Sequence, residues 1–124
     1  MRLEFQYKSL VESLRLLTST YEEQQSYLPD SVIVQDEVIA AFEDAFLLLP
    51  QIIEAELVDK KSIASIVRCF NLMSMAVRNN ETSDLESFKS HEIWQRVRSL
   101  ADQALTDMKE SKGKPDLSHI DWID

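Results

Sequence analysis

Glycine is almost missing: Gly113 is the only one in 124 residues, and there are only three prolines. Turn-rich β architectures depend on Gly, Asn-Gly and Pro punctuation, so this scarcity leaves little room for an all-β fold. One glycine also rules out a Gly-rich phosphate loop. Cys69 is alone, which excludes an intramolecular disulfide and a cysteine-based zinc site. The two histidines, His91 and His119, are far apart, and neither has a Glu three residues before it. The pairings that build histidine metal sites on helices are therefore absent. The acids show no EF-hand spacing, and there is no nucleophile elbow. No apolar run reaches the roughly 18 residues of a membrane span. Met1–Lys8 lacks the continuous apolar stretch of a signal peptide. The expectation is a cytoplasmic protein with no metal, no cofactor and no catalytic residue.

What is present suits a globular chain: 44% of residues are apolar and 28% charged, with a length typical of one domain. The formal net charge is −9 and the pI about 4.6. Nucleic acid and anionic membrane surfaces are poor partners for such a chain, because phosphates are met by an excess of Lys and Arg. The charge is also unevenly placed. From Leu16 to Asp59 there are ten acids (Glu22, Glu23, Asp30, Asp36, Glu37, Glu43, Asp44, Glu54, Glu56 and Asp59) and not one Lys or Arg. Elsewhere twelve acids face thirteen bases, so the whole net charge comes from this block.

Apolar residues recur at helical spacing along most of the chain. Leu3, Tyr7, Leu10, Leu14, Leu17 and Tyr21 step by four and three, which predicts one continuous amphipathic helix fading near Ser26, with Lys8, Glu12 and Arg15 on its far side. A second helix begins between Ser31 and Asp36 and carries Val38, Phe42, Ala45 and Leu49 inward. Pro50 suits the first turn of a new helix better than a helix interior, so a corner at Leu49-Pro50 and a short helix to about Val58 follow. Asp59 is an N-cap for a helix from Lys60 to about Arg78. Ser83 and Glu86 read as a capping box, ahead of a further start at Ser90. The last helix carries Trp94, Val97, Ala101, Ala104 and Met108 inward and stops at Gly113. Cys69, beside Ile66, Phe70 and Met73, reads as a buried structural thiol. The fold class expected is all-α: a compact antiparallel bundle of four long helices with one or two short ones. Residues 1–124 form a single domain, with 114–124 an acidic tail whose Leu117, Ile120, Trp122 and Ile123 suit docking on the body.

Mixed-sign helices gain i, i+4 ion pairs. The second helix forgoes them, which is easier to understand if a basic partner repays the repulsion. At 100° per residue Leu47 projects outward among Asp36, Glu43 and Asp44, an apolar centre with a charged rim. The partner-facing set is Glu22, Glu23, Asp36, Glu37, Glu43, Asp44, Leu47 and Glu54. The partner is a basic protein, and the chain itself a monomer or weak dimer.

The stretch Ala41-Phe42-Glu43-Asp44-Ala45-Phe46-Leu47-Leu48-Leu49-Pro50-Gln51-Ile52-Ile53, then Asp59, then His91-Glu92-Ile93-Trp94-Gln95-Arg96-Val97-Arg98-Ser99-Leu100-Ala101, resembles small acidic helical immunity proteins. These accompany bacterial polymorphic toxins, including contact-dependent growth inhibition systems. The resemblance spans Asp36 to Met108. Such immunity proteins vary in fold, so it implies a role and carries no binding residue across. That role is to bind a cognate toxin domain, commonly a nuclease, and block it. Two other classes fit the charge pattern. A secretion chaperone or adaptor calls for an obligate dimer with an apolar groove. A DNA mimic calls for acids spaced like duplex phosphates.

Overall fold

The computed structural model describes residues 3–118. Its elements are seven helices and no strand: α1 (Leu3–Thr18), α2 (Tyr21–Tyr27), α3 (Val34–Phe46), α4 (Leu49–Glu54), α5 (Lys60–Arg78), α6 (Leu85–Ser90) and α7 (Glu92–Asp107). None of them is long and apolar enough to cross a membrane. His119, Ile120, Trp122 and Ile123 lie outside the described residues.

α1 is the interior helix. Leu14 and Leu16 point to nearly opposite sides of it, yet both are fully buried, as are Leu10 and Leu17. This follows from its neighbours, since α7 packs on it from one direction and α3 with α4 from another. α7 runs antiparallel to α1: Tyr7 Oη donates to Glu110 at one end (2.8 Å), and Thr18 Oγ1 to the Arg98 carbonyl at the other (3.1 Å). α7 is also antiparallel to α5, where Ser65 donates to Asp107 and Cys69 Sγ lies 3.6 Å from the Val97 carbonyl. Burial pushes the Cys69 thiol up to about 12, so it stays protonated and packs as a small apolar group. Trp94, buried, donates its indole N–H to the Thr82 carbonyl at 2.7 Å and meets Phe88 edge-on.

Four local departures from the sequence expectation each have a physical cause. The first helix does not run on to Ser26. Thr20 and Glu23 form a reciprocal capping box, each side chain bonding the other's backbone N–H, and this starts α2 afresh. The cap of α6 is Asp84, one residue beyond Ser83, with its carboxylate accepting from Ser87 N–H, and His91 Nδ1 caps α7. α4 and α7 end early in matching Schellman turns. Leu57 N–H reaches the Ile52 carbonyl and Glu110 N–H the Leu105 carbonyl, with Glu56 (φ 59°) and Lys109 (φ 61°) in the left-handed position; in the last helix this stop comes before Gly113, the residue expected to supply it.

The fourth departure concerns the far side of α1. Residues 110–117 lie along it. Glu12 is only 5% exposed. It accepts from Arg15 Nη1 at 2.7 Å and from the Asp116 backbone N–H at 2.9 Å. Arg15 also donates to the Ser111 carbonyl, and Lys8 pairs with Asp116 at 2.6 Å. Pro115 is buried, and Leu117 packs against the core. The face with helical spacing for solvent is thus covered by the chain beyond α7.

Candidate functional site

α3 and α4 meet at a corner that the core holds from within. Val34, Val38, Phe42 and Ala45 are buried along the inner side of α3. Phe46 stacks on Phe70 of α5 (ring centroids 3.8 Å apart), and Phe42 meets both rings edge-on. With the inner side pinned, Asp36, Ala40, Glu43 and Leu47 fall within an arc of about 60° on the outer side. Leu47, at the α3 C-cap, is 73% exposed, and Ile33, at the N-cap, is 68% exposed. Asp36, Glu43 and Asp44 are exposed, whereas Glu37 is half-buried. Leu47 forms one wall of a shallow apolar depression of about 270 Å³, completed by Phe46, Leu49, Pro50 and Ile53. Glu54, exposed, closes α4 directly after Ile53.

None of the ten block carboxylates enters an ion pair among the described residues. The six pairs present use Glu12, Glu86, Asp102, Asp107, Glu110 and Asp116. Two of the ten have structural work as caps: Glu23 accepts from Thr20 N–H, and Asp59 accepts from Ser62 N–H at 2.8 Å. That bonding with Ser62 holds the Asp59 carboxyl below its ordinary value.

The expected set is therefore divided in space. Glu43, Asp44 and Leu47 lie on the last turns of α3, with Glu54 at the end of the helix that shares their depression. Asp36 and Glu37 sit at the other end of α3, where Gln35 donates to the Ser83 carbonyl at 2.7 Å. Glu22 and Glu23 belong to a third place. Tyr21 beside them meets Phe88 of α6 edge-on, and Lys89 lies 4.9 Å above the Tyr21 ring. Burial lowers the Arg98 pKa on α7, and the nearby charge of Glu22 partly offsets it. Ile33 and Ile53 escaped the sequence reading. Ile33 stands fourteen residues before Leu47, a spacing of about four helical turns that returns to the same side, so this signal was available.

A larger open cavity, about 660 Å³, lies on the other side of Ile53. Its rim is of mixed sign, with Glu56 and Asp59 beside Lys60 and Lys109. Asp107 is held below its ordinary carboxyl value, chiefly by the Ser65 hydroxyl and also by Gln103 and Lys61. No group of three or more His, Cys, Asp or Glu among the described residues is placed to hold a metal ion. No protein-family model, curated protein or solved structure matches the chain.

Proposed function

We propose that the protein works by stoichiometric capture of a basic protein on the α3–α4 face, without chemistry of its own. The observation that carries this reading is the conjunction at one corner of acids with no basic partner among the described residues and a largely exposed Leu47 beside an apolar depression. Unpaired carboxylates give the long-range field that accelerates encounter with a positive surface. The apolar centre supplies the desolvated contact that slows dissociation. The resemblance to immunity proteins gives this mechanism a role: neutralising a cognate toxin domain in the bacterial cytoplasm. A nuclease suits it, because its own substrate requires a basic surface and its toxicity rewards fast capture.

The exposed apolar residues at both ends of the α3 acid stripe favour a protein partner over phosphate mimicry, since a duplex backbone offers no apolar counterpart to Leu47 and Ile33. The test is binding to a basic toxin domain, sought in the gene next to this one, followed by stopped-flow and calorimetry. Glu43→Lys/Asp44→Lys is expected to slow association about tenfold or more at low salt, with the difference shrinking as salt rises. Leu47→Ala is expected to speed dissociation by roughly tenfold or more, as at an interface centre. Unchanged rates in both variants would remove this face from the interface.

A further inference from the structure

The acid-only block is followed by its opposite. From Lys60 to Asn80 there is no acid, and the four charged residues are Lys60, Lys61, Arg68 and Arg78. On the outer side of α5, Arg68, Asn71, Leu72 and Met75 meet Arg96 and Leu100 of α7 around an open groove of about 300 Å³. Its floor is apolar, and Met75 is 57% exposed. Arg68 and Arg96, both exposed, form no ion pair among the described residues. The groove thus offers two free guanidiniums around an apolar slot. The end of α3 offers two free carboxylates, Glu43 and Asp44, within one turn of a projecting leucine.

We propose that the protein self-associates head to tail, the Glu43–Asp44–Leu47 turn of one copy seating in the Arg68/Arg96 groove of the next. Each guanidinium can take a carboxylate through two parallel N–H bonds, and Leu47 then covers Leu72, Met75 and Leu100. The contact joins two different faces, so it propagates and does not close on itself as a twofold dimer would. Two molecules of net charge −9 also repel at long range. Association is therefore strongest near 0.1 M salt, where a Debye length of about 10 Å screens the far field and leaves contact pairs intact, and it weakens near 1 M. Self-association and partner capture would use the same acidic face, so they compete. The inference rests on reading that face as a docking surface.

Sedimentation equilibrium on the full chain tests it. At about 1 mM protein, the range of weak association, the weight-average mass is expected to rise clearly above 14.3 kDa. Glu43→Gln/Asp44→Asn and Arg68→Gln/Arg96→Gln each remove one face without creating a new attraction, and each alone is expected to stay at the monomer mass. Mixed in equal amounts they are expected to form a species of twice the monomer mass and nothing larger, since each brings one intact face. Circular dichroism checks that both remain folded. A wild type that stays monomeric overturns the proposal and leaves the groove to a foreign acidic surface. A mixture that stays monomeric overturns it as well. Arg68→Gln/Arg96→Gln retains the α3–α4 face, so its affinity for a basic partner tests the capture reading separately.

Discussion

The two sides of α1 treat charge in opposite ways. On the side covered by residues 110–117, Lys8, Glu12, Arg15, Glu110 and Asp116 interlock through ion pairs and backbone bonds, and one of the carboxylates is buried. On the side of α3 and α4, Asp36, Glu43, Asp44 and Glu54 face solvent and pair with no base among the described residues. Charge on the first side belongs to the fold. On the second side it is surface field, with effects on association and little on stability. The net charge counts both alike, and only the pairing separates them.

The largest expected effect comes from breaking the interlocked side. Arg15→Met leaves the buried Glu12 carboxylate without its cation, with only the Asp116 N–H bonded to it, and removes the Arg15 bonds to Ser111 and Glu110. Urea unfolding is expected to show a loss of about 3 kcal/mol, the usual penalty for orphaning a buried charge. Glu12→Gln/Arg15→Met together is expected to recover more than half, because a neutral amide costs far less to bury. A loss under about 1 kcal/mol for Arg15→Met would erase the contrast between the two sides.

Acid sharpens the same contrast. The Lys8 ammonium and Ser118 hold the Asp116 carboxyl far below its ordinary value, and Ser65 with Gln103 and Lys61 also lowers that of Asp107. A carboxyl whose folded pKa lies below its unfolded value near 3.8 stabilises the fold above that value. The contribution is lost as pH falls through the folded pKa. Stability followed by circular dichroism is expected to drop as pH goes below about 4, and Asp107→Asn is expected to flatten that acid limb. An unaltered limb would show that Asp107 is not linked to folding.

A smaller effect tests where the acid-only region begins. Thr20→Ala removes one half of the capping box between α1 and α2 and is expected to cost about 1 kcal/mol. The box was legible in the chain, because Thr20 and Glu23 have its spacing, but the continuous stripe from Leu3 to Tyr21 masked it. Periodicity reports which side faces inward and is blind to a break that keeps the phase. The same limit explains Glu12 and Arg15: their spacing places them away from the core, and nothing local shows that the chain beyond α7 folds back over them. Asp59, Pro50 and the inner line of α3 were legible because each rests on local chemistry. The outward aim of Leu47 was legible for the same reason. Its depression was not, because Ile53 approaches it only once the α3–α4 corner has formed. The groove at Arg68 and Arg96 needed α5 and α7 side by side.

The smallest expected effect is on the free face. Glu43→Lys/Asp44→Lys breaks no ion pair and no side-chain hydrogen bond among the described residues. It also lowers the self-repulsion of a molecule with net charge −9. In addition, Lys at the C-terminal end of α3 is favoured by the helix dipole and Glu is not, a term of a few tenths of a kcal/mol in the same direction. The variant is therefore expected to unfold within about 0.5 kcal/mol of the wild type, shifted toward greater stability. If it instead lost 2 kcal/mol or more, those carboxylates would belong to the fold, and slower capture by the same variant could no longer be assigned to the surface field. A neutral or stabilising result, measured beside the slowed association, separates the charge that holds this molecule together from the charge that faces a partner.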